Sequence, residues 1–207
     1  MEQIKYSVMT GKLQGISSLN TNTLSNKFCQ AMSKKEDSIC SSCYSISMLK
    51  TYRKNCAPRW ELNSKLLSSK IIDPQDYVAP GTNIVRFNSH GELINNIHLE
   101  NIFNICEFYS KRTFTLWTKR TNLVSKILRS RTKPENLIII YSNPNKQKIE
   151  GGSLSHYISV PQGFDKVFNV VTESDDDSKI NCDQGCIDCM MCYTLGDKTK
   201  QIIERIK

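Results

Sequence analysis

Residues 181–198, NCDQGCIDCMMCYTLGDK, hold four cysteines, Cys182, Cys186, Cys189 and Cys192. A second group, Cys29, Cys40, Cys43 and Cys56, lies near the start of the chain. Soft sulfur ligands in sets of four select zinc or an iron–sulfur cluster and reject magnesium and calcium. The chain has only 3 histidines, so a His-rich zinc site is not expected. Structural zinc usually draws CxxC pairs from two separated knuckles, whereas tight runs at spacings of two and three residues resemble cluster-binding loops. The run Cys182-x3-Cys186-x2-Cys189-x2-Cys192 is of the second kind, and Gly185 frees its backbone to turn. The pair Cys40-x2-Cys43 suits either metal. A [4Fe–4S] cluster is the expectation, zinc is the alternative, and one site or two stays open. Cys106 stands apart in an apolar helical pattern and reads as a small buried hydrophobe.

These thiols need a compartment and a scaffold. The chain of 207 residues is long enough for one domain with a real core. Its start, MEQIKYSVMTGKLQG, lacks a signal-peptide apolar core, and no apolar run approaches a membrane span. A soluble protein of the cytoplasm, without membrane partners, is therefore expected, and clustered thiols there bind metal more often than they form disulfides.

Residues 1–30 are polar and read as irregular. A helix is expected over 41–55, and a second opens at Pro58 in APRWELNSKLLSSK. The pattern then alternates. NIVRFN (83–88), TFTLWT (113–118), NLIIIYS (136–142) and KVFNVVT (166–172) read as strands. HLENIFNICEFYSK (98–111) and TNLVSKILRSR (121–131) carry apolar residues at helical spacing. Such alternation predicts an α/β fold, a partial (β/α) barrel or an open parallel sheet, with a cysteine-rich metal-binding cap. One domain, 1–207, is expected. It comprises a cysteine-containing helical part (1–75), a β/α core (83–172) and a cysteine loop (180–193).

In such folds, functional residues sit at the carboxyl ends of strands. NSHGEL (88–93), TKR (118–120) and SNPN (142–145) fall there. His90, Glu92 and Lys119 are the candidate catalytic residues: a proton-transfer group, a carboxylate and an anion-gripping cation. His98 reads as a residue of a helix N-terminus. Asn143 and Asn145, around Pro144, read as turn formers. Trp60 and Trp117 read as core. Net charge is +8, and residues 111–133 hold eight Lys or Arg and no acid. That stretch could attract a nucleotide or nucleic acid, or it could be a solvated face.

FCQAMSKKEDSICSSCYS, VRFNSHGEL, FTLWTKR, NLIIIYSNP, FDKVFNVV and NCDQGCIDCMMCY together resemble a family of cysteine-rich phage proteins, the gene-product-88-like proteins. The resemblance implies a phage protein acting in host cytoplasm and leaves its role open. A more distant likeness is to radical-SAM enzymes of partial-barrel fold. There a cysteine loop ending Cys-x2-Cys-Tyr holds a [4Fe–4S] cluster, and a Gly-Glu segment after the second strand holds S-adenosylmethionine. CSSCYS (40–45) resembles the loop's end, and Ser89, Gly91 and Glu92 match the segment. The likeness implies that Gly91 lets the backbone approach the cofactor and that Glu92 accepts from its ammonium. The family loop is Cys-x3-Cys-x2-Cys, but Glu36 stands where its first cysteine belongs. Cys29 could substitute only through a longer loop. Four thiolates around one cube leave no iron open, so the C-terminal run would be structural, electron-carrying or redox-sensing.

Two functions follow as expectations. One is an iron–sulfur enzyme acting on a nucleotide or nucleic acid. The other is a non-enzymatic protein stabilised by zinc or an iron–sulfur cluster, engaging nucleic acid or a host protein through 111–133.

Overall fold

The computed structural model describes residues 2–206. Its elements run β1 (Ser7–Val8), β2 (Ser17–Leu19), α1 (Lys27–Met32), α2 (Tyr44–Lys50), α3 (Ala57–Ser69), β3 (Ile84–Phe87) and α4 (Asn96–Phe108). They continue with β4 (Thr113–Thr118), α5 (Thr121–Ile127), β5 (Leu137–Glu150), β6 (Ser153–Leu154), β7 (Lys166–Ser174), α6 (Cys186–Cys189) and β8 (Gln201–Arg205). All strands join one 8-stranded sheet of order β1-β2-β3-β4-β5-β7-β8, with β6 paired to β5. From β2 to β8 the path is parallel and follows chain order, while β1 and β6 are antiparallel. The molecule is thus α/β with an open, mostly parallel sheet. Among the described residues no pairing joins β1 to β8, and no helix is long and apolar enough to cross a membrane.

Alternation along the strands divides two cores. Val85, Phe87, Phe114, Leu116, Leu137 and Ile139 face the helices, meeting Leu67 of α3, Ile102, Phe103 and Ile105 of α4, and Val124 of α5. Trp117, Ile138, Ile140, Phe168 and Ile202 point to the other face, which bears no long helix. That double burial explains the unbroken apolar run of β5. The Asn95 side chain caps α4 by accepting from His98 N at 3.0 Å, and Cys106 is wholly buried.

Several boundaries differ from expectation. Residues 1–30 are not irregular, for they supply β1, β2 and α1. The Ser18 hydroxyl makes β2's polarity tolerable by bonding Arg86 O at 2.9 Å and Asn20 Oδ1 at 2.8 Å. The helix expected over 41–55 shrinks to α2, between 3-10 turns at Ile39–Ser42 and Lys54–Cys56. Asn143, Pro144 and Asn145 do not end β5. The register against β7 shifts between Ser142 and Lys146, because Pro144 cannot donate to the ladder. Strand β8, QIIER, was not foreseen.

The two cysteine groups occupy the first and last connections of the parallel path. Cys29, Cys40, Cys43 and Cys56 lie between β2 and β3, and Cys182, Cys186, Cys189 and Cys192 lie between β7 and β8.

Candidate metal and active site

The N-terminal thiols are pinned to strand ends by side-chain caps. Asn26 caps α1, accepting from Phe28 N at 3.0 Å and Cys29 N at 3.2 Å, and its Nδ2 donates to Glu92 O at 2.9 Å. One side chain thereby ties the Cys29 turn to the segment after β3. Ser38 does the same for Cys40. Its hydroxyl accepts from Cys40 N and donates to Pro144 O, both at 3.1 Å, while Lys146 N donates to Asp37 O at 3.2 Å. Cys43 opens α2, and the adjacent Tyr44 hydroxyl donates to Ser89 O at 2.8 Å.

These ties bring Cys29, Cys40 and Cys43 into one neighbourhood. Burial pushes the Cys29 thiol up, Glu92, Cys43 and Cys40 add to the effect, and Lys119 opposes it. Cys56 ends the turn that leads into α3, and its thiol is not among the strongest influences on Cys29.

Glu92 and Lys119 stand at the same end of the sheet. Glu92 is 4% exposed. Its Oε1 accepts from Leu93 N at 2.7 Å and Thr118 Oγ1 at 2.5 Å, and Oε2 accepts from Lys119 N at 2.8 Å. Burial raises its pKa, while Lys119 and these hydrogen bonds act against the rise. Lys119 Nζ donates to Ser142 Oγ at 2.9 Å. Beside it opens a cavity of about 480 Å³ lined by two cations, Lys35 and Lys119, two acids, Glu36 and Asp37, and by Phe28, Met32, Ser38, Pro144 and Asn145.

The remaining candidates are held by protein contacts. Gly91 has φ +86°, and a Cβ there would fall 2.1 Å from Thr21 Oγ1, so its close backbone approach is to Thr21. The Ser89 hydroxyl accepts from Ser18 Oγ at 2.8 Å. His90 stacks on Trp60 with centroids 4.4 Å apart, meets Tyr44 edge-on, and shares a 3.0 Å hydrogen bond between Nδ1 and Ser45 Oγ. Burial first, then Arg53 and Arg86, lower its pKa to about 4. His98 is buried in α4 and accepts from Ile94 N at 3.3 Å; burial lowers its pKa to about 3.

The C-terminal thiols lie against the sheet face away from the long helices, beside Trp117, Ile138, Phe168 and Tyr193. Asn181 N and Cys182 N both donate to Ile203 O, at 3.1 and 3.0 Å, which docks the loop on the edge of β8. Lys12 Nζ reaches Cys182 Sγ at 3.3 Å and Glu204 Oε1 at 2.5 Å. Cys189 N donates to Gly185 O at 2.9 Å, and Met190, in the left-handed region at φ 54°, ends the α6 turn. Burial pushes the Cys192 thiol up to about 12, the other three cysteines add, and Arg86 opposes. Sequence reasoning did not single out Lys12, Arg86 or Tyr193. Arg86 carried a signal, since a lone cation alternates with Val85 and Phe87 in a buried strand.

Cys29 lies near Cys40 and Cys43, Cys192 lies near Cys182, Cys186 and Cys189, and all eight thiols are free of disulfides. Among the described residues no group of three or more His, Cys, Asp and Glu makes a ready cage for a metal ion.

The basic stretch is largely spent inside the molecule. Arg131 pairs with Glu107 and Lys133 with Asp165, both at 2.6 Å. Arg112 donates to Thr82 O, Lys119 to Ser142, and Arg120 to Leu93 O. Lys111, Lys126 and Arg129 are left exposed.

Residues 6–201 match the family model described as Gene product 88. No curated protein and no solved structure matches the chain. The chain belongs to the gene product 88 family, the phage family that its sequence resembled.

Proposed function

We propose that this member of the gene product 88 family is an iron–sulfur enzyme. Its active centre is built from Cys29, Cys40 and Cys43 beside the carboxyl ends of β3 and β4 and the register shift of β5. The observation that carries this reading is that Asn26 and Ser38 tie the turns of Cys29 and Cys40 to Glu92 O and Pro144 O, beside a ligand-sized cavity lined by Lys119. The donor set suits the group: three soft thiols supply sulfur and no hard oxygen ligand is required. A four-iron cube held by three cysteines keeps one iron free for a small molecule, which is the chemistry the cluster supplies when bound.

The chain's own residues do the rest. Asn26 and Ser38 hold Cys29 and Cys40 on their turns. Lys119 offers an ammonium to an anionic group of the ligand, a carboxylate or a phosphate. His90, neutral and stacked on Trp60, orients the loop that carries Glu92. S-adenosylmethionine is the first ligand to test. The order of segments along the sheet is that of the radical-SAM likeness, with cysteines after the first parallel strand and Gly91-Glu92 after the second. Glu92 already accepts three hydrogen bonds, so of a carboxylate's roughly four acceptor positions about one is left for an ammonium.

Anaerobic purification with iron, sulfide and zinc quantitation tests the reading. A four-iron cluster at this centre predicts that Cys40→Ala/Cys43→Ala loses about four irons and about four sulfides per chain relative to the parent. Colourless protein carrying zinc without sulfide would overturn this reading in favour of a metal-stabilised binding protein. Failure of reconstituted, reduced protein to bind and cleave S-adenosylmethionine would remove that cofactor.

A further inference from the structure

The enclosed polar atoms without a hydrogen-bond partner on the sheet face that carries the C-terminal thiols include Arg86 Nε, Trp117 Nε1 and the Tyr193 hydroxyl, with Thr115 Oγ1 in register beside Arg86. Each is a donor, and a buried donor without an acceptor is costly to keep. They sit together. The Arg86 guanidinium lies 3.9 Å from the Trp117 ring centroid, and Trp117 and Tyr193 share one packed cluster with Cys192, flanked by Cys182 and Cys186. Arg86, Tyr193 and Cys186 lie within reach of one another, but no geometry between them satisfies Arg86 Nε or the Tyr193 hydroxyl.

Charge makes the same point. Arg86 belongs to none of the salt bridges among the described residues. The groups around it are the Cys186 and Cys192 thiols and the phenols of Tyr44 and Tyr193, none of them a carboxylate. A cation with no carboxylate partner, two further orphan donors and four thiols form one neighbourhood. That combination suits an acceptor rich in sulfur and negative in net charge, and a cluster bound by four thiolates has both properties.

We infer that Cys182, Cys186, Cys189 and Cys192 hold a second, closed iron–sulfur cluster, and that Arg86, Trp117 and Tyr193 donate to its sulfur atoms. This rests on the iron–sulfur reading of the chain and adds to it a second site with a different task. With four thiolates the cluster offers no open iron, so it carries electrons or braces the β7–β8 connection and does not bind substrate. Arg86 is a positioning residue here. Its positive charge favours the reduced, more negative cluster and raises the midpoint potential.

The test uses the full chain with Cys40→Ala/Cys43→Ala, which leaves the C-terminal quartet intact. About four irons and about four sulfides should remain, and adding Cys182→Ser/Cys186→Ser should abolish them. In a dithionite titration followed by electron paramagnetic resonance, one electron reduces the cluster. Arg86→Met should disfavour reduction about tenfold, a shift of about 59 mV to more negative potential, and Arg86→Lys should restore most of it. Tyr193→Phe and Trp117→Phe, which remove a single donor each, should shift the potential the same way and serve if Arg86→Met does not fold. Unchanged potentials in all three with full iron content would overturn the inference and leave the iron–sulfur reading standing. Retained iron after loss of Cys182 and Cys186 would also overturn it. Absence of iron and sulfide from the parent protein would instead sink the iron–sulfur reading itself.

Discussion

Glu92 Oε2 accepts the backbone N–H of Lys119 at 2.8 Å, so the carboxylate that follows β3 fixes the turn that follows β4. Its other oxygen takes Leu93 N and the Thr118 hydroxyl. An amide cannot serve both sides. In Glu92→Gln the NH2 group must face either Leu93 N or Lys119 N, and one backbone donor loses its acceptor. The expected cost is about 1–3 kcal/mol, read from the denaturant midpoint. A midpoint equal to that of the parent would show that Glu92 does not hold these two strand ends together.

His90 predicts how the fold responds to acid. Its folded pKa, about 4, lies below the ordinary value of 6.5. Between those values the unfolded chain binds the proton and the folded chain does not, so stability rises with pH across this window and is lost as pH falls through it. For one group the loss by pH 4 is about 3 kcal/mol. His98, lowered to about 3, acts in the same direction. Urea titrations from pH 7 to pH 4 should show a shallower decline in His90→Phe, which keeps a ring against Trp60. An identical decline in both proteins would assign the acid sensitivity elsewhere.

Gly91→Ala should be severely destabilising, by about 3 kcal/mol or more. The residue has φ +86°, and the new Cβ would meet Thr21 Oγ1 at 2.1 Å and the Thr21 carbonyl oxygen at 2.5 Å. Trimming the side chain leaves the carbonyl in place, so Thr21→Ala should fail to rescue the variant. Full rescue would mean that the clash is only with the side chain.

Lys119, with Lys35, lines the cavity near the N-terminal thiols, and of the two it is Lys119 that acts on Cys29. Lys119→Met keeps the length of the side chain and removes its charge. Equilibrium dialysis of reconstituted protein against S-adenosylmethionine or a nucleoside phosphate should show affinity weakened about tenfold. Affinity equal to the parent's would take Lys119 out of the binding site.

The central β/α units were legible because their periodicities are clean. Leu137 to Ile140 alternate between two buried faces, and Ile102, Ile105 and Cys106 line one side of α4. Strand β2 was hidden because Ser17 and Ser18 are buried as hydrogen-bonding residues, which no hydrophobic pattern records. Strand β8 was hidden because Ile202 and Ile203 are too short an apolar run between polar neighbours. Thiol spacing revealed the two cysteine groups. It could not reveal that Cys29 lies near Cys40 and Cys43, because Asn26 and Ser38 set that grouping through contacts with Glu92 and Pro144. The orphan donors around Cys192 come from residues distant in sequence, Arg86 and Trp117, as well as from the neighbouring Tyr193.

A sheet whose parallel strands follow chain order, with its partly exposed thiols in the first and last connections and Cys106 sealed inside α4, confines chemical injury. Oxidation of the loop before β8 would fray one margin, and oxidation of the segment after β2 would fray the other. The segment after β2 meets β5 only at Pro144 to Lys146, beyond the rungs that join Ile84–Phe87, Phe114–Thr118 and Leu137–Tyr141. Hydrogen exchange after peroxide treatment should therefore find the margins opening while amides of the middle strands stay protected, so that a burnt-out centre leaves behind a folded remnant rather than an aggregate.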